Sequence, residues 1–196
     1  MRINPKYVQL IGDVLIPLLG YFLWDWGLYF IVVFYLIDHL LAEVLMHVKS
    51  RKIVQFQGGY HKKEWIKRGL IHTPIFLVSI VLIHVFFLRI NPGIDFKAEL
   101  LDFWTYEEWG IQQGYILLPL IVLTAVQQFR TFFVRTGAFK VVKATTIWKD
   151  RIIQSLFIIG GTVIALALSI VPNFIELVYV LGLFAGIVVY GLFVRK

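Results

Sequence analysis

The chain alternates between long apolar stretches and short polar connections along most of its length. A helix that crosses a bilayer needs about 20 mostly apolar residues, because the hydrocarbon offers no partner for an exposed backbone. The stretches that meet this requirement cover residues 7–24, 28–48, 69–90, 111–129, 152–171 and 174–194. The pattern predicts an all-α fold, in which residues 1–196 form a single domain, a polytopic transmembrane helix bundle of six spans.

The basic residues predict how these helices are oriented, because Lys and Arg are enriched in the cytoplasmic loops of membrane proteins. Seventeen of the 19 Lys and Arg residues lie before the first stretch, after the last, between the second and third, or between the fourth and fifth. Arg89 and Lys97 alone fall on the other side, where acidic residues collect. This asymmetry predicts that the N- and C-termini are both cytoplasmic.

The composition excludes several classes of protein. Hydrophobic residues make up 59% and charged residues 16% of the chain, and the mean hydropathy is +0.80. Soluble domains contain about 45–50% apolar and about 25% charged residues, so this chain has too little polar surface for a soluble globule. Because the chain has no cysteine, it forms no thiolate metal site, iron–sulfur cluster or cysteine nucleophile.

Two segments outside the predicted helices carry patterns of their own. Residues 94–109 mix acids with large apolar side chains, which predicts either a helix lying on the outer surface or a solvated acidic loop. Residues 130–151 are predicted to form a basic cytoplasmic loop that either binds anionic lipid or an acidic partner, or is an ordinary positive-inside loop. Its candidate contact residues are Arg130, Arg135, Lys140 and Lys143. We expect no nucleic-acid binding, since no recognition motif accompanies the charge.

Ionisable side chains inside a membrane are costly, so each one is a candidate functional residue. They concentrate in the first three predicted helices, as Asp13, Asp38, His39, Glu43, His47, His72 and His84. His39, Glu43 and His47 lie four residues apart, which places them on one helical face. A rise of about 1.5 Å per residue predicts Asp13 and Glu43 at equal depth in the cytoplasmic half of the bundle.

Three interpretations of this cluster are open. A divalent metal ion is one, because imidazole and carboxylate groups suit zinc, iron or manganese. Its ligands would be Glu43, His47, His72 and Asp13. The second is passage of protons or cations, for which buried carboxylates and imidazoles are suited. The residues of that path would be Asp13, Asp38, His39 and Glu43. In the third, these groups only pair with one another or with a neighbouring subunit. A single haem between His47 and His72 is disfavoured.

The sequence leaves open whether the protein is an enzyme, and it contains no H-E-x-x-H, G-x-S-x-G or P-loop motif. Small residues at four-residue spacing occur in the last two helices, as Gly161 with Ala165 and Gly182 with Gly186. Such pairs let helix backbones approach closely, so they favour a homo-oligomer or a partner within a membrane complex. The alternative to an ion-handling function is therefore a non-catalytic structural, sensor or interaction subunit.

Several short motifs resemble a family of small bacterial multi-pass membrane proteins whose function is unassigned. That family pairs a proline-bearing first helix with a "YW-x-EN" patch in the second. The motifs are Leu15-Ile16-Pro17-Leu18, Trp24-Asp25-Trp26, Tyr35-x-x-Asp38-His39, and Asp150-Arg151-Ile152-Ile153 running into Gly160-Gly161. The resemblance implies a multi-pass protein of the bacterial inner membrane, and it implies no activity.

Overall fold

The computed structural model describes residues 5–57, 62–108, 111–112, 114–171 and 176–194. The helices are α1 (Pro5–Leu23), α2 (Leu28–Gln57), α3 (Lys62–Ile90), α4 (Phe96–Thr105), α5 (Gly114–Gln128), α6 (Ala144–Leu168) and α7 (Glu176–Val189). The remaining elements are the antiparallel strands β1 (Glu107–Glu108) and β2 (Ile111–Gln112), π-helical turns over Phe129–Arg135 and Tyr190–Val194, and a 3₁₀ turn over Ala138–Lys140. Apart from one pair of two-residue strands, the described fold is helical, as predicted.

Some of the described helices are long and apolar enough to cross a membrane. They are Leu28–Gln57, Ile66–Ile90, Gly114–Arg135, Ala144–Leu168 and Glu176–Phe193. Among the residues of α1 whose side chains are described, Ile11–Leu23 forms a shorter apolar helix of about 20 Å, whereas the whole of α1 has 19 residues, or about 28 Å, against a hydrocarbon core of about 30 Å. The structure therefore supports a multi-pass helical bundle with five candidate spans. The predicted first span and the orientation stay predictions; residues 1–4, 174–175 and 195–196 lie outside the described residues.

Residues 130–151, predicted to form a basic cytoplasmic loop, are helical at both ends, and the side of the membrane on which they lie stays a prediction. The π-helical turn carries α5 on to Arg135, and α6 already begins at Ala144, so only residues 136–143 connect the two helices. The apolar stretch ends where charged residues begin, whereas the helical hydrogen bonds continue through those residues. For the same reason, α2 continues to Gln57 and α3 begins at Lys62, both beyond the predicted apolar stretches. The helices α2, α3 and α6 are thus longer than the stretches that predict them.

A short helix is present within residues 94–109, in agreement with the first of the two alternatives, and its place on the outer surface stays a prediction. Asp95 begins α4 as its N-cap: the carboxylate oxygen Oδ1 accepts hydrogen bonds from the backbone N–H groups of Lys97 (2.9 Å) and Ala98 (3.2 Å). Such a cap satisfies backbone donors that have no partner inside the helix. Phe103 on α4 is buried. Trp109, at the end of the predicted segment, lies outside the described residues.

One end of the bundle carries Asp25, Asp95, Glu99 and Glu176, and we call it the acidic end. An aromatic core fills this end, where α2 begins and α4 lies. The Trp26 ring lies 4.6 Å from the Phe30 ring, and Phe30 lies 4.7 Å from Phe103, measured between centroids. A Cβ atom on Gly20 would collide with the Trp26 ring, so glycine is required where α1 passes this core. These contacts fix α1 and α4 against the start of α2.

The opposite end carries Lys49, Lys52, Arg130 and Lys140, and we call it the basic end. A second, smaller core fills this end, where α2 ends and α6 begins. Its buried members are Met46, Ile53, Phe133, Ala144 and Trp148. The Gln57 side-chain amide lies within hydrogen-bond distance of three carbonyl oxygens, those of Phe139 (3.1 Å), Lys140 (3.3 Å) and Val142 (3.0 Å). These bonds hold the end of α2 against the connection that leads into α6. Between the two ends, α2 and α3 both pack on α6, and the polar residues of the bundle lie in this contact.

Candidate functional site

The polar face of α2 is confirmed. His39 and Glu43 are buried, and His47 follows one turn later with 37% of its side chain exposed. The four-residue spacing brings the Glu43 carboxylate within 3.6 Å of His47 Nε2. The face therefore runs from a fully enclosed histidine to one that is accessible near the basic end.

Glu43 is the centre of the site because both of its oxygens have partners on other residues. Oε1 lies 2.8 Å from His72 Nδ1 on α3 and 3.6 Å from His47 Nε2 on its own helix. Oε2 accepts a hydrogen bond of 3.1 Å from Arg151 Nε on α6. One carboxylate thus joins three helices and two imidazoles, and the predicted carboxylate–histidine cluster is present at Glu43, His47 and His72.

Arg151 is a member of this site that the sequence reasoning missed. Its side chain is buried, and besides Glu43 it donates to Gln154 Oε1 (2.6 Å) and to the main-chain oxygen of His39. Arg151 is predicted at the end of the basic loop, and the structure places it in the second turn of α6. A signal exists in the sequence: Arg151 stands directly before an apolar stretch, and Glu43 needs a cation if it is buried.

Trp148, a member of the core at the basic end, contacts both imidazoles of the site. Its ring meets the His47 ring edge-on at 5.4 Å and the His72 ring at 5.6 Å. Trp148 lies three residues before Arg151, so both side chains project from the same face of α6. The early start of α6 therefore positions the aromatic wall and the cation together.

His39 extends the site toward the middle of the bundle. Its Nε2 lies 3.3 Å from Ser79 Oγ on α3, and the Ser79 hydroxyl donates to the Phe76 carbonyl oxygen at 2.6 Å. Since the hydroxyl proton is used on Phe76, the serine oxygen is left to accept, which favours a proton on His39 Nε2. His39 Nδ1 then carries a lone pair.

Five buried polar atoms around this network have no aligned hydrogen bond among the described residues. They are His39 Nδ1, His72 Nδ1, His72 Nε2, Trp148 Nε1 and Ser155 Oγ, of which His72 Nδ1 lies at ion-pair distance from Glu43. A buried polar atom without a partner costs about 1–3 kcal/mol, so such atoms are rare away from sites that bind water, ions or protons. The site therefore retains hydrogen-bonding capacity beyond its own ion pairs.

Asp13 does not lie at the level of Glu43 that the depth count predicts. The Tyr35 hydroxyl donates a 2.5 Å hydrogen bond to the main-chain oxygen of Asp13. Tyr35 precedes Glu43 by eight residues, or about 12 Å along α2. The count assumes that all helices start at one plane, whereas contacts with the aromatic core fix the height of α1. Asp38 is exposed on α2, although the neighbouring His39 is buried.

The geometry gives no support to the metal and haem hypotheses. Among the described residues, no three His, Asp or Glu side chains are arranged to hold a metal ion. The guanidinium of Arg151 is bonded to Glu43, and a fixed positive charge there repels a divalent cation. The carboxylate oxygen of Glu43 also lies against both of the imidazoles that would have to share a haem iron.

The predicted lipid or partner residues Arg130, Arg135, Lys140 and Lys143 are all exposed. Nearby cations pack on aromatic rings of the basic end: Lys52 Nζ lies 4.9 Å from the Phe139 ring centroid, and Lys140 Nζ lies 5.8 Å from that of Phe56. Basic and aromatic groups therefore alternate on this surface, as the sequence predicts.

Comparisons with protein-family models, with curated proteins and with solved structures found no match for this chain. The resemblance drawn from the short motifs therefore stays a prediction, and function has to be argued from the site itself.

Proposed function

We propose that this protein is a multi-pass membrane protein that transfers protons through the His47–Glu43–His72 site. The observation that carries the proposal is the sharing of one carboxylate oxygen by an accessible and an enclosed imidazole. His47 has 37% of its side chain exposed, whereas His72 has none. Three titratable groups thus form a continuous series from the basic end into the bundle.

The transfer follows from the acid–base properties of these groups. A proton taken up by His47 passes from Nε2 to Glu43 Oε1; since 3.6 Å exceeds a direct hydrogen bond, a bridging water or a small rotation of His47 completes the contact. Glu43 then passes the proton to His72 Nδ1, which lies 2.8 Å away, after the imidazole ring turns to align a hydrogen bond between them. The resulting imidazolium releases its other proton from Nε2 to a water molecule, since no protein acceptor bonds that atom among the described residues, and the ring must exchange tautomers before the next cycle.

Arg151 makes the site selective for protons over metal cations. Its charge balances the Glu43 carboxylate inside the bundle, where an unpaired carboxylate would take up a proton and keep it. The same charge repels sodium, potassium or divalent ions, which would have to displace the guanidinium. A proton meets the same repulsion, but it moves by exchange between neighbouring donors and acceptors and does not have to displace the guanidinium from Glu43. This argument favours proton transfer over the metal and cation alternatives.

The test is proton flux into proteoliposomes that contain a pH-sensitive dye, with the full chain reconstituted. We expect His47→Gln and Glu43→Gln to abolish the protein-dependent flux, because neither amide titrates. His84→Gln is the matched control: His84 lies on α3, with Nε2 3.4 Å from Tyr29 Oη and Nδ1 2.8 Å from the Ile80 carbonyl oxygen, away from Glu43. Wild-type flux equal to that of empty liposomes, or full flux in His47→Gln, would contradict the proposal.

We also propose six spans, with α1 as the first, and cytoplasmic N- and C-termini in a bacterial inner membrane. The distribution of basic residues supports this orientation. Because the chain lacks cysteine, a single cysteine reports the side on which it lies. We expect an impermeant maleimide to label Asp95→Cys in intact cells and Thr136→Cys only after lysis; the reverse pattern would overturn the orientation.

A role as a non-catalytic subunit is the second candidate, and the exposed basic surface favours it. Phe132 and Val141 are 54% and 80% exposed between the basic residues, which is typical of a surface that contacts lipid or a partner. Gly161 and Gly182 also face open space rather than another helix of this chain. In this case the protein should purify with partners or as a defined oligomer, and Glu43→Gln should change that assembly rather than a flux.

A further inference from the structure

A cavity of about 450 Å³ lies at the acidic end, away from the Glu43 site. The start of α2, the end of α3, α4, the end of α6 and the start of α7 surround it. Its polar lining includes Tyr29, Arg89, Asn91, Glu99, Glu176 and Tyr179. Its volume falls within the range of small-molecule sites, about 300–1,000 Å³.

The cavity presents charges of both signs. Arg89 supplies one cation, and Glu99 and Glu176 supply two carboxylates. Glu176 is partly engaged, since its Oε1 accepts a 2.7 Å hydrogen bond from the backbone N–H of Leu28 at the start of α2. An empty pocket lined in this way carries one more negative than positive charge. An ammonium group on a ligand would pair with one carboxylate, while Glu176 keeps its hydrogen bond to the Leu28 N–H.

Glu99 is the carboxylate best placed to receive an ammonium group. It lies in the first turn of α4, where the Glu99 backbone N–H bonds the Asp95 carbonyl oxygen at 2.9 Å, so the capped helix fixes its position. Partial burial raises the pKa of the Glu99 carboxyl above its ordinary value, and the nearby Asp102 carboxylate adds to the rise. A cation bound beside Glu99 would offset both effects.

The walls of the cavity are held by aromatic packing. The Tyr29 ring lies 5.5 Å from the Phe96 ring and 4.8 Å from the Phe87 ring. These contacts join α2, α3 and α4 around the pocket, so Glu99 and Arg89 sit on elements that are fixed relative to one another; the hydrogen bond from the Leu28 N–H to Glu176 connects α7 to α2. A preformed site of this kind loses little free energy in ordering its own side chains on binding.

We propose that this cavity binds a zwitterion, a small group that carries an ammonium and an anionic centre. Glu99 receives the ammonium group, and Arg89 receives the phosphate or carboxylate. Two sources offer this chemistry: the ethanolamine headgroup of a phospholipid, and a free amino-acid-like zwitterion. The site is independent of the proposed proton path, since it lies at the opposite end of the bundle.

The experiment measures both sources on the full chain in detergent. Native mass spectrometry after addition of phosphatidylethanolamine or phosphatidylglycerol tests the lipid, and calorimetry with O-phosphoethanolamine and with glycine tests free zwitterions. We expect Glu99→Gln and Arg89→Gln each to weaken binding about tenfold, as the loss of one charged hydrogen bond does. Lys97→Gln is the matched control: Lys97 is an exposed residue of α4 outside the cavity lining, and its loss should leave binding unchanged.

Each outcome decides the proposal. Retention of phosphatidylethanolamine but not phosphatidylglycerol supports a headgroup site, and binding of glycine or O-phosphoethanolamine supports a free ligand. Binding of none of these probes overturns the proposal. Equal retention of the two lipids, or affinities that neither Glu99→Gln nor Arg89→Gln changes in a folded variant, overturns it as well. None of these results depends on proton flux.

Discussion

The two halves of α2 hold their neighbours in opposite ways. Its residues 28–37, which we call the apolar half, bury only apolar and aromatic side chains, among them Phe30, Ile31 and Phe34, against α1, α4 and the aromatic core. Its residues from 38 onward bury His39 and Glu43 against α3 and α6. Inside a bilayer, apolar burial drives helix association weakly, because lipid is as apolar as a neighbouring helix. Close packing therefore positions the helices around the apolar half of α2, whereas ion pairs position α3 and α6 against the rest of α2.

The largest effect is expected from removing the ion pair between Arg151 and Glu43. Arg151→Met leaves the Glu43 carboxylate buried without its cation, which should destabilise the fold by about 3–5 kcal/mol. Thermal unfolding in detergent micelles measures this change. The double variant Arg151→Met with Glu43→Gln should recover much of the loss, because the neutral amide needs no counter-charge. Additive effects of the two substitutions would contradict a direct pairing of these residues.

The apolar half should respond most at its closest contact. Gly20→Ala forces a methyl group into the Trp26 ring, so α1 must move away from the aromatic core. Overpacking of this kind costs about 1–3 kcal/mol. The same unfolding assay checks the result, with Gly12→Ala as control because a Cβ atom on Gly12 meets nothing within 4 Å. Equal stability of the two variants would show that α1 is not held there.

The smallest expected effect tests whether the two parts of α2 act independently. Ile31 is fully buried in the apolar half, and Ile31→Val removes one methyl group, at a cost of about 1 kcal/mol. Proton flux per folded molecule should stay at the wild-type value, because the Glu43 site lies three turns further along α2. A loss of flux in Ile31→Val would mean that the two halves are coupled.

The sequence predicts part of this molecule well, and the reason is periodicity. Long apolar stretches locate the helices, and four-residue spacing identifies His39, Glu43 and His47 as one face. The sequence does not predict the role of Arg151, because the positive-inside rule explains a basic residue at this position equally well. Only its contact with Glu43 shows that it is the counter-charge of a buried carboxylate. Asp13 is misplaced because residue counting gives depth along one helix and says nothing of how helices are offset from each other.

Trp148 gives the site an optical property. Its indole ring contacts the imidazoles of both His47 and His72, and a protonated imidazole quenches indole fluorescence where a neutral one does so far less. The emission of this one tryptophan, isolated as the difference between wild type and Trp148→Phe, therefore follows the charge on two histidines. The protein contains its own fluorescent indicator, at the point where a proton would enter.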